Sequence, residues 1–112
     1  MTYETARRLA LALPGVEEGT CFGTPACRVG GKLISRLKED GETLVLTRIG
    51  FEERLALMER DPKAFYITDH YMNYPSVLVR LSAVKPDELR ELIERAWRRA
   101  APKRLIAAFD AR

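Results

Sequence analysis

Apolar positions recur at helical spacing near both ends of the chain and alternate with polar ones in between. Tyr3, Ala6, Leu9, Ala10 and Leu13 share one face of a helix expected over residues 2–13. Thr2 suits its N-cap, and Pro14-Gly15 ends it. Residues 19–48 read as three short strands. Thr24-Pro25 and Gly30-Gly31 are turn signals, and between them Cys27 and Val29 alternate with Ala26 and Arg28. Strands over 32–38 and 43–49 follow, joined across Asp40-Gly41, a pair suited to the two positive-φ positions of a primed turn. In the latter strand Leu44 and Leu46 face one way and Thr43, Val45 and Thr47 the other. A helix over 51–60 carries Phe51, Leu55 and Met58 on one face and stops at Asp61-Pro62.

Strands over 64–68 and 76–81 flank a seven-residue connection rich in rings, Asp69-His70-Tyr71-Met72-Asn73-Tyr74-Pro75. Residues 86–100 form a helix, with Pro86 in the first turn, Asp87 and Glu88 at its positive end, and an apolar stripe of Leu89, Leu92, Ile93, Ala96, Trp97 and Ala100. A break at Ala101-Pro102 precedes a short helix, 103–110. Hairpin-linked strands followed by helices imply an α+β fold: a single antiparallel β-sheet with helices packed on one face. One domain, 1–112, is expected, with Leu44, Leu46, Leu78 and Trp97 in one core.

Composition narrows the class. A chain of 112 residues buries roughly two-thirds of its unfolded surface, enough for a core without disulfides or metal. A formal net charge of +3 permits nucleic-acid binding without requiring it. No apolar run approaches the ~20 residues of a membrane span. The opening MTYETARRLALAL lacks the basic-then-apolar order of a signal peptide. Cys21 and Cys27 are too few for a disulfide framework. The expectation is a soluble, cytoplasmic protein with both thiols reduced.

The stretch Leu13-Pro14-Gly15-Val16-Glu17-Glu18, then Gly23-Thr24-Pro25-Ala26-Cys27-Arg28-Val29-Gly30-Gly31-Lys32, resembles the N-terminal half of the MmcQ/YjbR family of small bacterial proteins. Phe65-Tyr66-Ile67-Thr68-Asp69-His70-Tyr71, Tyr74-Pro75, Leu78-Val79-Arg80-Leu81 and Ala96-Trp97-Arg98, leading into Ala101-Pro102-Lys103, extend the resemblance over nearly the whole chain. Cys27 departs from the pattern, where an aromatic is expected. The resemblance implies a frataxin-like, CyaY-like fold and a proposed double-wing DNA-binding arrangement of hairpins, with no catalytic residues to carry over.

The residues support no reaction centre. One histidine and two cysteines outside a C-x-x-C pair do not make a metal site. Iron on an acidic ridge, which the frataxin likeness brings up, is disfavoured because the first helix offers only Glu4 beside Arg7 and Arg8. There is no G-x-S-x-G elbow, and Gly30-Gly31-Lys32 lacks the spacing of a phosphate loop. The expectation is a non-enzymatic binding module with no cofactor.

Two ligand classes suit it. DNA would be gripped, without base selectivity, by Arg28, Lys32, Arg36, Lys38 and Arg48 on the hairpin strands and by Arg98, Arg99, Lys103 and Arg104 near the C-terminus. Residues 95–112 hold six bases against one acid, a local balance of +5. The plainer account of those bases is a solvated helix end favoured by the dipole. Alternatively, His70, Tyr71 and Tyr74 line a pocket for a small molecule or protein; the plainer account there is a packed corner covering the end of the sheet.

Overall fold

In the computed structural model, which describes all of residues 1–112, six strands form one antiparallel sheet whose strands, from edge to edge, begin at Val16, Thr24, Lys32, Thr43, Ser76 and Phe65. The chain runs α1 (Tyr3–Leu11), β1 (Val16–Cys21), β2 (Thr24–Val29), β3 (Lys32–Leu37), β4 (Thr43–Thr47), α2 (Phe51–Arg60), β5 (Phe65–Tyr66), β6 (Ser76–Arg80), α3 (Pro86–Ala100) and α4 (Lys103–Asp110). A short 3₁₀ turn, Asp69–Tyr71, lies between β5 and β6. The α+β class and the single antiparallel sheet match the periodicity.

Several local readings are corrected. There are four strands, not three, before α2, because Val16–Cys21 pairs with β2 along its whole length. Thr24-Pro25 is not a turn; it begins β2. The turn lies one step earlier, at Phe22-Gly23, where both residues have positive φ. At Asp40-Gly41 only Gly41 is left-handed. The Asp40 carboxylate instead accepts from the Glu42 and Thr43 amides, both at 2.9 Å, and so closes a wider loop.

The helices and one face of the sheet share a single core. Leu44, Leu46, Val77 and Val79 from the central strands meet Ala6 and Ala10 of α1, Leu57 of α2, and Leu89, Ile93 and Trp97 of α3. Trp97 is fully buried, donates through Nε1 to the Pro14 carbonyl at 2.9 Å, and meets Phe109 of α4 edge to face. Gly15, in the left-handed conformation at φ 73° that favours glycine, lies against Leu105 of α4 at this end. Leu78 is buried but belongs elsewhere. It pairs with Val45 and Tyr66, so it lies on the opposite face of the sheet and not with Leu44, Leu46 and Trp97. That opposite face has no helix over it.

Candidate binding cleft

The helix-free face is buried by other means. Strand pairing sets Ala26, Arg36, Val45 and Leu78 side by side across β2, β3, β4 and β6. All four are buried. The β1–β2 turn and the connection between β5 and β6 flank this floor. Together they bound a cleft of about 360 Å³ lined by Cys21 and Phe22 from the end of β1 and its turn, by His70, Tyr71 and Tyr74 from the β5–β6 connection, and by Leu33, Arg36, Val45, Thr47 and Ser76. The lining holds no carboxylate.

Phe22 is placed against its own preferences. Its φ of 54° is left-handed, a region bulky side chains rarely enter. Primed two-residue turns favour Asn or Gly there. The ring is also 83% exposed, so it gains little from burial. It stands 5.4 Å from the Arg36 guanidinium. Across the cleft, His70 and Tyr71 stack edge to face with centroids 4.8 Å apart, and His70 and Tyr74 lie 6.0 Å apart.

Two buried arginines fix the aromatic side. Arg36 donates from Nη2 to the Tyr71 hydroxyl at 3.2 Å, and from Nη1 to Thr24 Oγ1 at 3.0 Å and Glu39 Oε1 at 3.1 Å. Burial opposes its charge, but the bonds to Tyr71 and Glu39 outweigh it and hold the pKa above the ordinary arginine value. Arg54, on α2, has no carboxylate partner. Its Nη1 donates to the carbonyls of Tyr71, Tyr74 and Ser76 at 3.1, 2.8 and 3.1 Å, and its Nη2 to that of Met72 at 2.9 Å. The Phe51 ring covers it at 4.9 Å. A single side chain thus collects three carbonyls from one irregular segment and a fourth from Ser76 at the start of β6, and sets where Tyr71 and Tyr74 stand.

His70, Tyr71 and Tyr74 therefore come together, as the sequence suggested, while the nine bases do not act alike. Arg36 is buried in the cleft floor. Arg98 makes a bidentate pair with Asp110 at 2.7 and 3.0 Å and reaches Glu94 at 3.1 Å, which raises its pKa and lowers that of Asp110. Arg99 donates to Glu53 at 2.6 Å and to the Arg48 carbonyl at 2.7 Å. Glu53 also accepts from Arg95 and from the Gly50 amide, and its pKa is held down to about 2, chiefly by Arg99. Arg28 spans β1–β2 to the Thr20 carbonyl at 3.0 Å. Lys38 and Arg48 are half-buried. Lys32, Lys103 and Arg104 are exposed. They share one end of the molecule, since a Cβ on Gly30 would lie 3.4 Å from Pro102.

For chemistry, the cleft supplies rings, an apolar floor, a guanidinium and a rim thiol at Cys21. Cys27 lies on the core face, where burial pushes its thiol pKa up. No three His, Cys, Asp or Glu side chains converge to hold a metal, and no helix is long and apolar enough to cross a membrane.

The family model described as YjbR matches residues 11–99, a span that contains every cleft residue. Uncharacterized proteins of Mycobacterium tuberculosis and Mycobacterium bovis are each 35% identical over 99 residues, covering 73% of this chain and 77% of theirs. A crystal structure of a Deinococcus radiodurans protein of the domain family DUF419 superposes with a TM-score of 0.71 at 23% identity, over 86% of this chain and 75% of that one. At that identity the likeness is one of fold.

Proposed function

The chain belongs to the YjbR family, and on that footing we propose that it is a binding module, without a reaction of its own, for a small organic ligand held in the cleft on the helix-free face of the sheet. The observation that carries this reading is Phe22. An exposed aromatic ring in a left-handed turn lowers stability through backbone strain and returns almost no burial in exchange. Costs of this kind concentrate at sites where a ligand repays them. The rest of the cleft agrees with it. Its volume falls at the lower end of the range for small-molecule sites, roughly 300–1,000 Å³, and a mainly apolar lining with few fixed polar groups is their usual make-up.

A second reading, sequence-tolerant DNA contact, rests on Lys32, Lys103 and Arg104. These exposed bases make no ion pair and lie near one another at the Gly30–Pro102 approach. It is the weaker of the two. Arg36, Arg98 and Arg99 are engaged inside the protein, so few free charges remain, and each phosphate contact contributes its own increment of salt-dependent affinity.

Amide spectra of ¹⁵N-labelled protein, titrated with a library of small aromatic and aliphatic compounds and separately with a short duplex at low salt, test both. The cleft reading expects hits that shift Phe22, Arg36, Val45, Thr47 and Tyr71. It fails if no compound at millimolar concentration shifts them. The DNA reading expects the duplex to move Lys32, Lys103 and Arg104, and an unchanged spectrum at low salt ends it.

A further inference from the structure

We infer that the ligand of this cleft is a planar aromatic anion, its ring held between Phe22 and the His70–Tyr74 side and its carboxylate or equivalent group met by Arg36. The inference rests on the cleft being a ligand site and goes on to name what enters it.

Shape argues for a plate. The Phe22 ring stands 5.4 Å from the Arg36 guanidinium and the Tyr71 hydroxyl 3.2 Å from it, so rings from the β1–β2 turn and from the β5–β6 connection meet at the same group, with Val45 and Leu33 in the same lining. Aromatic rings favour offset or edge contacts with other rings, so a flat ring system offers most to both walls at once. A bulky aliphatic group would meet the same walls with poorer fit.

Charge argues for an anion. The lining includes the Arg36 guanidinium and no acid. Behind the aromatic side, Arg54 adds a buried positive charge met only by carbonyls and the Phe51 ring. The one carboxylate on Arg36 is Glu39, whose side chain is mostly exposed. Such a pair contributes little in water. A ligand carboxylate arriving from the apolar side would bind the same guanidinium on a side chain that is itself buried, and charge-assisted bonds are about twice as strong as neutral ones. Arg36 is already held by Thr24 and Tyr71, so little is lost in orienting it.

The test compares three plates of one shape, 2-naphthoate, neutral 2-naphthamide and cationic 2-naphthylmethylamine, titrated into the full chain by calorimetry with amide shifts recorded in parallel. The expected order is naphthoate tightest, with the amide weaker by about tenfold or more and the amine weakest. Arg36→Gln should erase the difference between naphthoate and amide, leaving both at the amide's affinity. Because Arg36 is buried and bonded within the fold, Glu39→Gln gives an independent arm on an exposed side chain. This exposed change removes the negative charge that competes for Arg36, which keeps its bonds to Thr24, Tyr71 and the Leu37 carbonyl, and should tighten naphthoate several-fold while leaving the amide unmoved. Equal affinities for the three plates, or a preference for the amine, with shifts still in the cleft, would overturn the anionic class and leave the cleft standing. Naphthoate affinity unchanged in Glu39→Gln would also count against it. If no plate of any charge shifts a cleft amide, the binding site itself is refuted and the ligand class with it.

Discussion

The two faces of the sheet are built from the same strands and obey different rules. On the helix-covered face Leu44, Leu46, Val77 and Val79 meet Trp97 and the apolar stripe of α3, and every contact serves packing. On the other face the neighbours in register are Ala26, Arg36, Val45 and Leu78, and what covers them is a strained turn and an irregular loop. The first face is an interior in the ordinary sense. The second is an interior left partly open, with a charge in its floor and rings at its rim. Side chains two apart on one strand thus fall under one regime, and their immediate neighbours under the other. Where a sheet buries its second face without a helix, whatever covers that face deserves the functional question first.

The largest effect that sharpens the contrast lies on the covered face. Trp97→Ala removes a fully buried ring, its contact with Phe109 and its bond to Pro14, and should cost about 3–5 kcal/mol of stability in denaturant titration. Ligand affinity of the protein that remains folded should stay within a factor of a few. A large loss of affinity with intact fold would mean that the two faces are not separable.

A smaller effect, and a more selective one, belongs to the hinge between the faces. Arg54→Met keeps an unbranched apolar stem but leaves the carbonyls of Tyr71, Met72, Tyr74 and Ser76 without their donor. The expected loss is about 2–4 kcal/mol, less than four full bonds because the exposed carbonyls regain water. Amide exchange should rise in residues 69–76 and stay near the wild-type rate in β4 and α3. Uniform acceleration across the chain would show that Arg54 supports the whole core rather than the aromatic loop.

How much of this was legible in the sequence follows the same division. The covered face was written in periodicity: the stripe of α3 and the short helix after Ala101-Pro102 appear where the spacing puts them, residues 86–100 and 103–110. The open face was legible only in its composition. His70, Tyr71 and Tyr74 stood out as a cluster of rings, but nothing local showed what they face. β1 was missed because Glu17, Glu18, Gly19 and Thr20 lie exposed at a sheet edge, and such a strand has no buried alternation to display. The Phe22-Gly23 turn was missed because an aromatic there contradicts turn chemistry. That contradiction was the one local signal that could have marked the site. Arg36 reads as a surface base because charged residues usually are, and nothing in the sequence marks Arg54. Their partners, Tyr71 for both, are separated from them by 35 and 17 positions, and no local pattern carries that information. Leu78 was assigned to the wrong face for a related reason. All four residues from Ser76 to Val79 are buried, so alternation is silent about which side holds the core.

The smallest expected change in stability tests the central claim most directly, that the open face gives up stability for binding. Phe22→Asn supplies the residue a primed turn favours before Gly23 and removes an exposed ring. Thermal melts and naphthoate titrations of the two proteins, run side by side, read both halves of the claim. The account predicts a variant more stable by about 0.5–1 kcal/mol, with its affinity for naphthoate reduced at least about tenfold. A variant that binds naphthoate as the wild type does, or that melts lower, would contradict it.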